Sequence, residues 1–197
     1  MVEAKISPNA SISNQASLDN SVSIWDFSQV RENAKIGENS IIGSYVYIDA
    51  NVKIGRNCKI QNRALLYDPT ILHDGVFIGP GAILTNDKNP RSVSPANELK
   101  SSEDWKKVGV EVFEGASIGS GAICIAPIKI GRWATIGAGA VVTKDVPDHA
   151  LMVGNPARQI GWVGKSGLKL VTEDDKNFNC HILGTSFQVI DGSLVEN

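Results

Sequence analysis

An apolar residue returns at every sixth position of this chain from Ile6 to Leu84, and the same spacing resumes at Val112. A period of six fits neither an α-helix, which repeats every ~3.6 residues, nor an isolated strand, which alternates about every two. It predicts an all-β solenoid whose coil has three flat sides, so that about 18 residues complete one turn. A two-sheet β-sandwich is the alternative, but its strands have no reason to keep such a register. The repeat residues are Ile6, Ile12, Leu18, Ile24, Val30, Ile36, Ile42, Ile48, Ile54, Ile60, Leu66, Leu72, Ile78, Leu84, Val112, Ile118, Cys124, Ile130, Ile136 and Val142.

Stacking of the coils predicts which residues become neighbours. The repeat residue should point into the prism and lie on its counterpart in the next coil, about 4.8 Å away. Val112 is then expected to continue the prism after the interruption. On that register Asn86 lies above Asp68 and below Ala126, with Asn62 at the equivalent position of a neighbouring corner.

Composition narrows the classes of partner. The chain has 19 Lys and Arg against 21 Asp and Glu, so a nucleic acid or an anionic membrane is not expected as partner. Its start has no apolar run typical of a secretory signal, and no stretch is long enough to span a bilayer. The three cysteines, Cys58, Cys124 and Cys180, are far apart, which favours free thiols and a cytoplasmic location.

The interruption, about residues 86–110, lies inside a predicted solenoid domain at residues 1–160. It carries charges of both signs, two prolines and Trp105. Short helical turns are possible at residues 98–100 and 103–107. The segment is either a tolerated, solvated loop or an arm that reaches a neighbouring subunit and encloses a site.

Residues 161–197 form a polar C-terminal tail beyond the prolines that end the coil. Residues 187–192 resemble a strand with a hairpin turn, to be paired with residues 178–182. We expect this tail to cap the open end of the solenoid.

Several motifs resemble one family, the hexapeptide-repeat acetyltransferases that N-acetylate amino sugars linked to a nucleoside diphosphate. The resemblance covers roughly residues 4–160. The run at residues 85–92, Thr-Asn-Asp-Lys-Asn-Pro-Arg-Ser, is the most specific. It is similar to the UDP-2-acetamido-3-amino-2,3-dideoxy-glucuronate and dTDP-3-amino-3,6-dideoxyhexose N-acetyltransferases. The other motifs are at residues 24–27, 59–62, 76–80, 137–147 and 154–162.

The resemblance implies a left-handed parallel β-helix and a homotrimer with active sites between subunits. It also implies an acetyl-CoA-dependent reaction at the 3-amino group of a UDP- or dTDP-linked sugar, for a surface polysaccharide such as lipopolysaccharide O-antigen. No metal is implied. The nucleotide, the sugar and an acyl group other than acetyl stay open.

The residues implied in catalysis are Asn86 and Asp68. The family pattern places an Asn at the reacting amine, where its amide oxygen accepts a hydrogen bond and orients the nitrogen lone pair. Asp68, stacked beneath, would tune the amine or take its proton. The bland alternatives are an Asx turn at Asn86 and a capping carboxylate at Asp68. Among the histidines, His73 is a candidate base, whereas His149 and His181 fall in a loop and in the tail.

Substrate and coenzyme contacts follow from charge and shape. Lys88 and Arg91 suit a diphosphate or a sugar carboxylate, and surface charge is their alternative. Asn62, Tyr67 and Arg31 lie on faces that would meet substrate. The remaining candidates are for CoA: a bare surface for the pantetheine arm at Ala134, Ala138, Gly139 and Ala140, and phosphate contacts at Lys144 and Arg158. Trp133 should point outward.

Four other functions remain as alternatives. A hexapeptide O-acetyltransferase needs a well-placed base, and a 4-amino-sugar N-acetyltransferase differs only in the acceptor position. A zinc carbonic anhydrase on the same fold needs three converging His ligands, and the spacing of His73, His149 and His181 matches no coil. A non-catalytic scaffold has no evident need for the inserted loop.

Overall fold

The computed structural model describes residues 5–172, 174, 176–190 and 192–197. Short strands follow one another at the predicted spacing and coil into a prism with three sheets, which we call faces 1, 2 and 3 in the order in which the chain meets them. The strands stack in parallel from coil to coil, except for an antiparallel last strand on face 1.

Face 1 has nine strands, at Lys5–Ile6 (β1), Ser23–Ile24 (β4), Ile41–Ile42 (β7), Lys59–Ile60 (β10), Phe77–Ile78 (β13), Ser117–Ile118 (β16), Thr135–Ile136 (β19), Ala150–Val153 (β21) and Arg158–Trp162 (β22). Face 2 has seven, at Ser11–Ile12 (β2), Gln29–Val30 (β5), Tyr47–Ile48 (β8), Leu65–Leu66 (β11), Ile83–Leu84 (β14), Ile123–Cys124 (β17) and Val141–Val142 (β20). Face 3 has six, at Ser17–Leu18 (β3), Lys35–Ile36 (β6), Lys53–Ile54 (β9), Ile71–Leu72 (β12), Val110–Val112 (β15) and Ile128–Ile130 (β18).

The stacking register confirms the predicted neighbours. Leu72 pairs with Val112, so the prism continues directly across the inserted segment. Leu66 pairs with Leu84, and Leu84 with Cys124. Asp68, Asn86 and Ala126 each lie two residues after one of these paired residues. They therefore form one column, with Asn86 between the other two.

The core is the stack of repeat residues inside the prism. Ile42, Ile60, Ile78 and Ile118 are completely buried, and so are most of the small residues two positions earlier. Removing such an aliphatic side chain typically costs about 2–5 kcal/mol of folding free energy, because the rigid coils cannot close the cavity. All three cysteines are free and buried, and burial raises the pKa of the Cys124 thiol to about 12.

Three columns of corners join the faces: the first corner between faces 1 and 2, the loop corner between faces 2 and 3, and the third corner between faces 3 and 1. The third residue of many corners has a positive φ, which Asn and Gly adopt most readily. Other residue types take this position at a few corners, and two of them, Phe27 (φ 61°) and Tyr45 (φ 59°), stack their exposed rings 5.0 Å apart on the first corner. At the third corner the half-buried Trp133 lies directly over Gly115, where a Cβ would clash with the indole ring.

The inserted segment leaves the loop corner after Asn86 and returns at Gly109. Its ends are joined by the Val108 amide, which donates to the Asn86 carbonyl (3.2 Å). A short 3₁₀ turn spans Ser102–Asp104, capped by Ser101, and overlaps the helical turn expected at residues 103–107. The other proposed turn, at residues 98–100, is wrong: Leu99 forms an antiparallel bridge with Val93.

A separate antiparallel sheet follows the solenoid, formed by Val171–Thr172 (β23), Asn177–Cys180 (β24), Thr185–Ile190 (β25) and Ser193–Glu196 (β26). The His149 ring lies 5.6 Å from Phe187 of this sheet, and its Nδ1 hydrogen-bonds to the Val163 carbonyl (2.9 Å). His181 falls in the turn between β24 and β25. The division of the chain at residue 160 stays a prediction, and strand β22 runs across it.

The predicted fold class is confirmed as an all-β left-handed parallel β-helix of hexapeptide repeats. Within the described part of the chain, no helix is long and apolar enough to cross a membrane.

Candidate functional site

Asp68 is the one charged side chain that is buried in the described part of the chain, with 5% of its surface exposed. It stands at the loop corner, directly after strand β11 and Tyr67. Its Oδ2 accepts hydrogen bonds from Lys107 Nζ (2.8 Å) and from Asn51 Nδ2 (3.2 Å). A buried carboxylate needs such partners, since removing it from water is otherwise costly.

Lys107 reaches Asp68 from the end of the inserted segment. Its side chain is 48% exposed, whereas that of Asp68 is 7% exposed. The hydrogen bond and the charge of Asp68 raise the pKa of the Lys107 ammonium. The loop is thus tied to the solenoid at the residue that we expect in catalysis.

A chain of polar contacts continues below Asp68 along the same corner. The Asp68 amide donates to Asp49 Oδ2 (3.2 Å), Asp49 Oδ1 accepts from the Tyr47 hydroxyl (2.9 Å), and that hydroxyl accepts from Arg31 Nη1 (3.3 Å). Burial and the bond to Asp49 raise the pKa of the Tyr47 phenol. Arg31 also forms an ion pair with Glu32 (2.8 Å), which raises the guanidinium pKa.

Asn86 is half-buried at the root of the loop, one coil above Asp68. Within the described chain its side-chain amide has no hydrogen-bond partner, whereas its main-chain oxygen accepts from Val108. The Asx turn that opens the loop is made by Asp87, whose Oδ1 accepts from the Asn89 amide (2.8 Å). The amide of Asn86 is therefore available to a ligand.

Of the other predicted substrate residues, some lie near Asn86 and one lies on a different corner. Tyr67 is half-buried, and its ring lies 5.6 Å from that of Tyr47. Lys88 and Arg91 are exposed on the loop, and the Arg91 guanidinium donates to the Pro90 carbonyl (2.8 Å). Asn62 lies elsewhere, on the first corner, where its Oδ1 accepts from the backbone amide of Ser44 (3.0 Å).

The predicted coenzyme residues are divided among the three corners. Lys144 is exposed and stands two coils above Asn86 in the same column, roughly 10 Å away at the usual strand spacing. Ala138 and Gly139 are exposed on the first corner. Ala134 on the third corner and Ala140 on the first are the exceptions: their side chains are buried in the core, so only their backbone is left for a ligand. The last candidate, Arg158 in β22, is exposed and donates to the Ala157 carbonyl (3.0 Å).

A second polar group lies on face 3 and extends to the start of the third corner. His73 Nε2 is 3.0 Å from Glu111 Oε1, and the His73 ring stacks on Phe113 at 4.8 Å. Lys129 Nζ lies 4.0 Å from the other oxygen of Glu111. Glu111 and Lys129 also line a groove of about 320 Å³. His73 was predicted as a candidate base from the sequence, whereas its carboxylate partner Glu111 was not.

Several residues of the loop corner were missed, namely Tyr47, Asp49, Asn51 and Lys107. The position of Asp49 was predictable from the repeat, because Asp49 lies one coil below Tyr67 and one coil above Arg31. The contact between Lys107 and Asp68 could not be predicted from the repeat spacing, because it depends on the path of the inserted segment.

The arrangement at the loop corner suits the recognition of a cation next to a hydrogen-bond acceptor. Three carboxylates, of Glu32, Asp49 and Asp68, face two cations, Arg31 and Lys107. No group of three or more His, Cys, Asp or Glu side chains in the described residues is arranged to hold a metal.

Two models of known protein families match the sequence of the solenoid. The model for "Bacterial transferase hexapeptide (six repeats)" matches residues 16–50 and 51–86. A second model, "Hexapeptide repeat of succinyl-transferase", matches residues 109–144. Together the matched residues make up more than half of the chain and leave out the inserted segment.

One curated relative and two solved structures illustrate the similarity. The chain is 48% identical over 65 residues to the dTDP-3-amino-3,6-dideoxy-alpha-D-galactopyranose 3-N-acetyltransferase of Aneurinibacillus thermoaerophilus, an alignment that covers 33% of this chain and only 34% of that protein. LpxA, a UDP-N-acetylglucosamine acyltransferase from Bacteroides fragilis 9343, superposes with a TM-score of 0.67 at 16% identity, covering 81% of this chain and 61% of that chain. WeeI from Acinetobacter baumannii AYE superposes with a TM-score of 0.52 at 25% identity, covering 75% and 56%.

Proposed function

This chain belongs to the bacterial transferase hexapeptide family, and from that premise we propose that it is an N-acetyltransferase. Its acceptor is the 3-amino group of a nucleoside-diphosphate-linked amino sugar, and its donor is acetyl-CoA. The observation that carries the proposal is the column at the loop corner. There the side-chain amide of Asn86, which has no hydrogen-bond partner among the described residues, stands directly above the buried carboxylate of Asp68. The relative from Aneurinibacillus thermoaerophilus supports the class of acceptor.

The loop corner matches the needs of amide formation. A sugar amine attacks the acetyl thioester only when its nitrogen is neutral and its lone pair is aimed at the carbonyl carbon. Asn86 Oδ1 accepts a hydrogen bond from the amine and orients it. Asp68 attracts the ammonium form and takes its proton. As the new C–N bond forms and the C–S bond breaks, the departing thiolate takes up the second proton.

Side chains around Asn86 bind the parts of the nucleotide sugar and of acetyl-CoA that do not react. Lys88 and Arg91 on the loop bind the diphosphate or a sugar carboxylate, whereas Tyr67 and Arg31 line the sugar side. Lys144, above Asn86 in the same column, binds a phosphate of CoA. Arg158 provides a second phosphate contact.

The homotrimer unites residues that one protomer keeps apart. Asn62, Ala138 and Gly139 lie on the first corner, with Ala140 buried beneath them and Ala134 beneath the third, all away from Asn86. An active site between subunits would bring one protomer's first corner against the loop corner of the next, with the pantetheine arm along the bare surface. The product would enter surface polysaccharide synthesis in the cytoplasm.

The test is thiol release from acetyl-CoA with a small panel of acceptors: UDP-2-acetamido-3-amino-glucuronate, dTDP-3-amino-3,6-dideoxyglucose and its galactose epimer. We expect turnover with at least one of them and none with the matching 3-hydroxy sugars. Turnover with the UDP acid alone would give Arg91 or Lys88 a carboxylate to bind. Absence of turnover with every amine would refute the proposal.

A hydroxyl acceptor is the second candidate, because His73 has an orienting carboxylate. The His73–Glu111 pair, 3.0 Å apart, has the form of a general base and its positioning group, which a hydroxyl needs more than an amine does. Activity with 3-hydroxy sugars that is lost in His73→Gln would favour this candidate over the amine acceptor.

A further inference from the structure

The ammonium group of Lys107 lies where a cationic ligand of Asp68 would lie. We propose that Lys107 is an internal substitute for the ammonium group of the amino sugar, held by Asp68 in the free protein and displaced when the substrate binds. Asp68, with Asn51 beside it, is then a subsite for a primary ammonium. This inference rests on the proposed function and adds a specificity-determining exchange to it.

The unequal burial of the two partners supports an exchange. Asp68 is buried, so its carboxylate requires a cation or several donors at all times. The Lys107 side chain is half in water, and a pair with such a partner contributes little to stability. Lys107 can therefore leave at small cost, provided that another cation takes its place.

The surrounding charges favour a cation over a neutral group. Asp49 lies directly below, bonded through Oδ2 to the Asp68 backbone amide, and Asn51 donates to the same Asp68 oxygen as Lys107. A protonated sugar amine carries the same charge and the same donors as the lysine ammonium. A 3-hydroxyl carries no charge and gains nothing from replacing Lys107.

The position of Lys107 in the chain connects the exchange to the loop. Its neighbour Val108 donates to the Asn86 carbonyl at the loop root. Trp105, half-buried, is two residues before it. Release of Lys107 thus frees the end of the loop at the moment when the amine arrives next to the Asn86 amide.

The test compares the affinities of two nucleotide sugars by calorimetry without acetyl-CoA. The probes are dTDP-3-amino-3,6-dideoxygalactose and dTDP-6-deoxygalactose, which carries a hydroxyl at C3. Lys107→Met should strengthen binding of the amine about 3- to 5-fold, the value of a partly exposed ion pair, and leave the hydroxyl sugar unchanged. Lys107→Arg, which keeps the cation, should not strengthen amine binding. Lys106→Met is the matched control, since Lys106 is exposed and forms no ion pair in the described chain, and it should alter neither affinity.

The outcomes separate the two proposals. If both sugars bind the native protein and Lys107→Met leaves their affinity ratio unchanged or weakens the amine, the substitution by Lys107 is refuted and the proposed function stands. If neither sugar binds the native protein, the same comparison is made with UDP-2-acetamido-3-amino-glucuronate and its 3-hydroxy counterpart. If these do not bind either, the proposed function fails and the role of Lys107 fails with it. Retained β-type circular dichroism in each variant shows that the solenoid has folded.

Discussion

Asp68 and Asp74 occupy the same position of the repeat on neighbouring corners, yet their carboxylates have different partners. At the third corner, Asp74 Oδ1 accepts from the backbone amide of Arg56, one coil below, and Oδ2 accepts from the Arg56 guanidinium. Asn62 does the same for the Ser44 amide at the first corner. At the loop corner the equivalent amide, that of Ala50, is bonded by Asp49 instead (2.8 Å).

The difference shows how a repeat protein frees a side chain for chemistry. The second residue of a corner has a backbone amide that requires an acceptor, and at Ser44 and Arg56 the polar residue one coil above supplies it. Because Asp49 supplies it at the loop corner, the Asp68 carboxylate is left to bind Asn51 and Lys107. The solenoid keeps its hydrogen bonds, and one corner gains a buried carboxylate with no structural duty to the backbone.

Among the variants that test this difference between the corners, replacement of Asn86 should have the largest effect on catalysis. Asn86→Ala removes the acceptor that aims the amine, and kcat/KM should fall about 100-fold or more, the usual loss for one such group. Asn14→Ala is the matched control, because Asn14 is exposed in the same column at the N-terminal end of the solenoid. Steady-state thiol release measures both, and equal activity of the two variants would remove Asn86 from the mechanism.

Exchanging each aspartate for its amide should separate the two corners. Asp68→Asn removes the charge that attracts the ammonium, so kcat/KM should fall roughly 10- to 50-fold while the melting temperature changes little. Asp74→Asn keeps an acceptor for the Arg56 amide and should leave activity unaltered. The comparison breaks down if Asp74→Asn lowers kcat/KM as much as Asp68→Asn.

Replacement of Lys144, at the top of the loop-corner column, should alter only the binding of the donor, acetyl-CoA. Lys144→Ala removes a charge that we assign to a CoA phosphate, and the KM for acetyl-CoA should rise about 10-fold. Lys53→Ala, an exposed lysine on face 3, serves as control in the same kinetic assay. A rise confined to the KM for the amino sugar would contradict the assignment of Lys144.

Two buried hydroxyls give the smallest predicted effect. Ser28 Oγ donates to the Gly43 carbonyl (2.6 Å) and accepts from the Val46 amide (3.1 Å). Thr70 Oγ1 at the loop corner is buried and has no hydrogen-bond partner in the described part of the chain. Thr70→Val should therefore raise the free energy of unfolding by about 1 kcal/mol, and Ser28→Ala should lower it by about as much. Denaturant titration measures both changes, and a destabilised Thr70→Val would reveal a hydrogen bond to the Thr70 hydroxyl.

The fold was predictable because the prism allows only one kind of residue at each sixth position. Ile60, Ile78 and Ile118 are buried for a geometric reason that the spacing records directly. The stacking of Asn86 on Asp68 follows from the same arithmetic. The stacking of Ala126 on Asn86 follows across the insertion, since Gly109 resumes the corner that Asn86 leaves.

The remainder of the site depends on contacts that spacing does not encode. Outward positions are free to vary, so nothing in the repeat indicated that Glu111 would meet His73. The contact of Lys107 with Asp68 depends on the irregular course of some twenty loop residues. The short helical turn was expected within 103–107 and lies at Ser102–Asp104, because Ser101 and Asp104 cap it.

The most direct test of this account is a crystal structure of the protein with CoA and dTDP-3-amino-3,6-dideoxygalactose. The account predicts the sugar C3 nitrogen within hydrogen-bond distance of Asn86 Oδ1, on the side of Asp68, with the CoA sulfur next to it. It also predicts that Lys107 has moved away from Asp68. A sugar amine bound beside His73 and Glu111, with Asn86 facing solvent, would contradict the assignment of the loop corner as the active site.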